Sequence, residues 1–431
     1  MKGILHYIWS KGVLQNKALQ TTGKKTVRVV SAGKCDIDMP YIFREAKVEI
    51  DGTVWCGDAV LHESNSNQLL DTQGAKNTGC TILHIALNGS CDTAALKVPH
   101  TELLNLEIPK ELISEFKAAE EHSERFPCGA TIAQLPTIQL HSTLSRLLAE
   151  RLEEKEKIID RIFAQCDQRW DDTLLKVAIR SFGFGIQSDI FEEWGGLLST
   201  QALGKHSDNL TQVEAIFFGQ AGLLEEESIP YYYRQGATES SYYKELKKEY
   251  AFLRNKFGLA SIDHRKWGAG NATPHLRIAR LASLYYHKRL TISGITETHT
   301  PTELYRLLNT PLEGYWQNHT CFGGTETCGN GAMRQKQIDV IIINSVVPLL
   351  YIYGRHRREE ALCSRAEDLL HQIESEENSI IKRWREQGVI VDCAADSQAL
   401  LQLNRRYCRM NNCTECHFAY HYIKKRLAGL D

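Results

Sequence analysis

Apolar residues fall at every second position, or in short unbroken runs, between Thr26 and Leu87, and every third or fourth position beyond Pro136. The first pattern predicts strands and the second predicts helices. Thr26 to Val30 (TVRVV) is β-branched and strand-like. Ala46 to Ile50 alternates apolar and charged residues, Asp51-Gly52 supplies a hairpin turn, and Val54 to His62 returns as the next strand. Thr81 to Leu87 is almost wholly apolar, as suits a central strand covered on both faces. Residues 2–20 read as a helical entry anchored by Ile4, Tyr7, Ile8 and Leu14 and ended by Gly23. The polar stretch from Asn65 to Gly79 reads as a crossover, and short strands are expected at Ala95 to Val98 and Leu103 to Ile108.

After Pro136 the helical period takes over. Leu144, Leu147, Leu148 and Leu152 form an apolar stripe, with Glu153 to Lys157 as a solvated face. Tyr242, Leu246, Tyr250, Leu253 and Phe257 recur at helical spacing before Gly258. Thr300-Pro301-Thr302-Glu303 combines an N-cap, a first-turn proline and a capping-box glutamate. Ser364 to Ile373 and Ser379 to Gln387 are further helices, and Ile338 to Gly354 is a buried core helix interrupted near Pro348. The tyrosines Tyr231 to Tyr233 are expected to pack. The fold class is therefore α+β, with a mixed α/β domain over 1–135 and a larger, mostly α-helical domain over 136–431.

Composition narrows the functional classes. A length of 431 residues exceeds one ordinary core, which supports two domains. The net charge of -2 leaves no global basic field, so a nucleic-acid partner would need a local patch. The N-terminus lacks the apolar segment of a signal peptide. Ile338 to Gly354 is short for a span and carries Asp339 and Asn344, so no membrane association is expected. Thirteen cysteines without a secretion signal favour reduced thiols and a cytoplasmic location.

Cys408, Cys413, Cys416 and His421 are spaced C-x4-C-x2-C-x4-H. Close thiolates suit tetrahedral zinc, with His421 as fourth ligand and His417 or Cys393 as substitutes. An iron–sulfur cluster fits the same thiolates if a distant cysteine completes the set. Three reduced cysteines packed between helices would give the same sequence. Arg405, Arg406, Arg409, Lys424, Lys425 and Arg426 surround the cluster, interleaved with Tyr407, Phe418, Tyr420 and Tyr422. Such residues can hold a phosphate backbone and stack bases, or form the solvated face of an amphipathic terminal helix. The run Arg355 to Arg358 is explained by a helix C-terminus alone.

The segments FFGQAG (Phe217 to Gly222), YYKELKKEYAFLRNKF, IINSVVPLLYIYG, and SQALLQLNRRYC followed by Cys413 and Cys416 resemble an uncharacterised bacterial family, domain of unknown function 2851. The resemblance implies an N-terminal part like a PD-(D/E)xK nuclease core, where clustered carboxylates hold a divalent metal that activates water beside a phosphate. The chain departs from that pattern. Tyr41-Ile42 stands for Pro-Asp, Val60-Leu61-His62 for Glu-x-His, Asn67 for an acid, and Leu70 and Thr72 for histidines. Asp36, Asp38, Glu45, Glu49, Asp58 and Glu63 remain as nearby acids. Asp58 should share a strand face with Val60, and with Asp38 it would rebuild a carboxylate pair. His62 and His84 are weaker candidates, read first as structural residues. The resemblance thus implies a catalytically degenerate, nuclease-like binding or scaffolding protein. The alternatives are a divergent metal-dependent nuclease and a purely structural protein.

Overall fold

A computed structural model describes residues 4–15, 17–36, 39, 41–62, 80–89, 101–114, 128–185, 187–268, 274–324, 333–410 and 412–427, without the side chains of Thr414 and Arg426. Asp38, Glu63, Asn67, Leu70, Thr72, the expected crossover from Asn65 to Gly79 and the expected strand Ala95 to Val98 lie outside the described residues.

The chain is a mixed α+β protein of two compact units. The first comprises 1–144, 379–390 and 400–431, and the second comprises 145–378 and 391–399. This differs from a single cut at 135/136: the cysteine-bearing C-terminal segment belongs with the sheet, not with the helical unit.

In the first unit a helix, α1 (Ile4–Ser10), is followed by strands β1 (Leu19–Gln20), β2 (Thr26–Ser31), β3 (Lys34–Cys35), β4 (Ile42–Ile50), β5 (Thr53–His62), β6 (Thr81–Leu87) and β7 (Glu102–Leu106). The sheet order is β1-β2-β4-β5-β6-β7, with β3 also pairing β4. Strands β2, β4 and β5 form an antiparallel meander, while β6 and β7 are parallel to β5. Asp51 (φ 47) and Gly52 (φ 80) both take the left-handed conformation that a two-residue hairpin turn requires. Alternation buries Val27 and Val29 on β2, and Ala46 and Val48 on β4. The buried side chains of Leu5, Ile8 and Trp9 lie on α1, which packs on β5. The helical entry is shorter than expected. It stops at Ser10, Gly12 takes φ 63, and Leu19–Gln20 becomes an edge strand. Glycine ends the helix because only it enters that backbone region without cost.

The second unit is helical. The helix Thr137–Gln165 starts in the first unit and enters the second after Leu144. Its leucine stripe is buried, but Lys155 does not join a solvated face. Its Nζ donates to the Ile343 carbonyl at 3.1 Å and to Asn344 Oδ1 at 3.3 Å, and burial lowers its pKa. The accepting residues lie in a π-helical turn, Ile342–Val346, between the helical stretches Gln335–Ile341 and Val347–Arg357. A π turn widens the helix and re-aims its carbonyls, so the interruption expected at Pro348 falls just before that proline. By length and composition Gln335–Arg357 could cross a membrane, but 72% of its most apolar window is buried inside the protein. The capping box at Thr300 and Glu303 is formed, and Gly258 closes the helix Ser241–Phe257 with φ 65. The tyrosine run does not pack as expected: Tyr231 and Tyr232 are 85% and 75% exposed.

Candidate functional site

Strands β4 and β5 pair Ile42 with Val60 and Phe43 with Ala59, then resume at Ala46 with Gly57. Arg44 and Glu45 together therefore oppose the single residue Asp58. This is a β-bulge, a device that re-aims side chains. Glu45 takes φ 57 to accommodate it. Gly33 (φ 79) is required beside it, because a Cβ there would collide with the Arg44 carbonyl.

The bulge turns the Arg44 guanidinium onto two carboxylates. Nε donates to Asp36 Oδ2 at 3.0 Å and Nη1 donates to Asp58 Oδ2 at 2.5 Å. Asp58 is buried, with a side chain 9% exposed, and that of Asp36 is 19% exposed. The hydrogen bonds to Asp36 and Asp58 hold the guanidinium pKa above its ordinary value. Two acids named from the sequence, Asp36 and Asp58, thus converge, but on an internal cation. Ile42 and Val60, facing each other across the strands, supply no oxygen to this end of the sheet. Magnesium prefers several hard oxygen ligands at short range, and a guanidinium already occupies the space between these two.

His62 and His84 do meet. Val60 and His84 are partners across the parallel β5–β6 ladder, which brings His62 Nε2 within 2.9 Å of His84 Nδ1. One nitrogen donates and the other accepts, so the contact needs at least one neutral ring. Burial, and then the neighbouring His62, lowers the His84 pKa to about 4; burial lowers that of His62 as well. Among the described residues His84 Nε2 is buried without a hydrogen-bond partner. The pair joins a buried ring, His84, to a half-buried one, His62, and burial disfavours the charged form of both.

The C-terminal cysteines lie in the first unit with the sheet. Cys408 ends a π-helical turn, Leu403–Cys408; Cys413 begins a short 3-10 turn packed against it; Cys416 directly precedes the helix His417–Leu427. None of the three is in a disulfide. His421 Nε2 stands 3.3 Å from His417 Nε2, one helical turn away. Cys393 belongs to the second unit, where its thiol donates to Asp396 at 3.3 Å and lies 3.7 Å from His371 Nδ1. Among the described residues no group of three or more His, Cys, Asp or Glu side chains is placed so that it could hold a metal ion. Arg405, Arg406, Arg409, Lys424 and Lys425 are exposed. Tyr407 and Phe418 are buried and unable to stack on a ligand, which leaves Tyr420 and Tyr422 half-buried among the cations.

Sequence reasoning missed three features. Arg44 owes its role to a bulge that no period announces. Cys128 lies beside the C-terminal cysteines in the fold, although Pro127-Cys128-Gly129 reads in sequence only as a turn. In the helical unit, Glu214 accepts from the Tyr242 hydroxyl at 2.8 Å, and Tyr242 accepts from Trp316 Nε1 at 2.7 Å. Burial raises the Glu214 pKa to about 7 against those bonds. His275 lies among Phe218, Trp316 and Phe322, and burial lowers its pKa to about 3. An acid on the apolar face of a helix was the available signal for Glu214.

The fold and site define an α+β protein in which one arginine bridges two acids at a bulge of the sheet. The chain belongs to the family described as Protein of unknown function (DUF2851), whose model matches residues 3–379. The cysteines from Cys408 onward lie beyond the matched residues. No curated protein and no solved structure matches the chain.

Proposed function

We propose that this protein is a non-catalytic, nuclease-like binding or scaffolding protein that engages the phosphate backbone of nucleic acid. The observation that carries the reading is the Arg44 bridge between Asp36 and Asp58. A nuclease of the metal-dependent class needs those oxygens open to a divalent cation and a water. Here one guanidinium supplies the compensating charge, and Ile42 and Val60 stand where the resemblance calls for carboxylates. The exposed cations Arg405, Arg406, Arg409, Lys424 and Lys425 provide a phosphate-binding surface in the first unit, and Tyr420, under the Lys424 ammonium at 5.7 Å, provides a ring beside it.

The test is fluorescence anisotropy of labelled single- and double-stranded oligonucleotides across a salt series, with cleavage followed on the same samples in Mg²⁺ and Mn²⁺. Binding that weakens steeply with salt, with the oligonucleotide intact, is expected. Arg405→Ala with Arg406→Ala should reduce the salt slope. Absence of binding at low salt leaves the purely structural alternative, and cleavage establishes the divergent nuclease.

A further inference from the structure

We propose that the Lys155 amine is a modification site for carbon dioxide, which it takes up as a carbamate anion beside Arg151. Lys155 is half-buried on the helix Thr137–Gln165, within the second unit. Its Nζ donates to the Ile343 carbonyl at 3.1 Å and to Asn344 Oδ1 at 3.3 Å. The Asn344 amide nitrogen donates to the Val340 carbonyl at 3.0 Å, which keeps Oδ1 turned toward the lysine. A neutral amine has two N–H groups and a lone pair, whereas an ammonium has three donors and no lone pair. The two acceptors on the π turn Ile342–Val346 match the neutral form and leave its lone pair free to attack. Among the described residues no carboxylate pairs with Nζ. Glu376, the acid whose charge reaches Lys155, accepts instead from Gln398 Nε2, and Gln398 Oε1 accepts from Arg151 Nε at 3.1 Å.

The charges around the amine favour this chemistry twice. Arg151 lies one helical turn before Lys155 on the same helix. Arg180 lies in the last turn of the helix Trp170–Ser181, which packs against the π turn, and Ser345 of that turn donates to Ser181 Oγ at 2.6 Å. Arg180 also pairs with Glu192. Burial, and then the Arg151 cation, bring the Lys155 pKa down to about 7 against the pull of Glu376, with Arg180 adding to the fall. Desolvation and a neighbouring cation are what make a lysine nucleophilic, since an ordinary lysine is almost wholly protonated at neutral pH. The same cations then stabilise the anionic product. In the step, the nitrogen lone pair attacks the carbon of carbon dioxide, one carbon–oxygen π pair moves onto oxygen, and one N–H proton goes to solvent. The carbamate nitrogen keeps a single N–H, so one of the two bonds to the π turn is lost. Uptake thus couples dissolved carbon dioxide to the side chain that holds this turn, and π turns are frequent at functional sites.

The experiment holds the full chain in bicarbonate buffer near neutral pH, traps carbamates as ethyl esters with triethyloxonium tetrafluoroborate, and maps them by peptide mass. A matched sample in buffer free of carbon dioxide is the blank. An adduct is expected on Lys155 and not on the exposed Lys157 of the same helix. Lys155→Arg, which keeps donors for the π turn, should lose it, and Arg151→Gln should carry several-fold less. Should either variant fail to fold, acetic anhydride labelling of the wild type across pH reads the amine directly. Lys155 should reach half its full reactivity near pH 7, where an ordinary lysine does so near about pH 10. The proposal is overturned by a wild type with no adduct on Lys155, or with as much on Lys157. It is equally overturned by an adduct undiminished in Arg151→Gln, or by a Lys155 labelling midpoint near about pH 10.

Discussion

Arg44 Nη1 lies 2.5 Å from Oδ2 of Asp58, a buried residue, at the point where the β4–β5 pairing is broken by a bulge. The same guanidinium reaches Asp36, so one side chain bridges both acids. Removing it would leave Asp58 buried without its cation. Arg44→Ala should therefore destabilise the protein by about 1–3 kcal/mol, the cost of stranding a hydrogen-bonded charge, reduced because Arg44 itself is partly exposed. Arg44→Lys should recover only part, since an ammonium cannot bridge both carboxylates with a planar fork. Urea unfolding of the three proteins checks this, and unchanged midpoints would show that the bridge contributes nothing.

The buried histidines predict acid sensitivity. The pKa is lowered to about 4 for His84 and about 3 for His275, against an ordinary value of 6.5. The unfolded chain then takes up protons first as pH falls. Stability contributed by these neutral rings is present above pH 6.5 and is lost as pH drops toward 4 and 3. His275→Phe, among rings that already favour an aromatic neighbour, should flatten the decline between about pH 6 and 4. The measurement is the unfolding midpoint as a function of pH in wild type and variant. Parallel curves would mean that His275 is not held neutral.

Glu214 predicts a slope of opposite sign. Its folded pKa is raised to about 7 from 4.5, chiefly by burial, so the folded chain holds the proton that the unfolded chain releases. Stability is greatest below pH 4.5 on this account and declines as pH rises through about 7. Glu214→Gln keeps an acceptor for the Tyr242 hydroxyl and removes the titration. It should be at least as stable as wild type at pH 8 and show no decline from pH 5 to 8. A wild-type chain whose stability is flat across that interval would contradict the raised value.

The strands were legible because alternation is enforced by one buried face: Val27 and Val29 on β2, Ala46 and Val48 on β4. The Asp51-Gly52 turn was legible because few residues accept two successive positive φ angles. The entry helix was overextended although Gly12 stood in the sequence, because Leu14 and Leu19 continued an apolar pattern that the fold uses outside the helix. Asp36 and Asp58 were visible as acids, but their meeting depends on two residues, Arg44 and Glu45, opposing one. A period-two reading has no place for the extra residue. Cys128 could not be joined to Cys408 from spacing, since about 280 residues intervene and only tertiary packing closes the distance. The pairing of Ile42 with Val60 is the reverse case. Both substitutions were visible in the sequence, and the register sets them directly opposite one another.

The most direct measurement incubates wild-type protein, Asp58→Ala and Arg44→Ala with labelled single- and double-stranded DNA and RNA, in Mg²⁺ or Mn²⁺, and resolves the products on a denaturing gel. With Arg44 between Asp36 and Asp58 and aliphatic side chains at Ile42 and Val60, the account predicts intact substrate in every lane, while the wild type retains bound oligonucleotide at low salt. Metal-dependent turnover by the wild type that disappears in Asp58→Ala would contradict it.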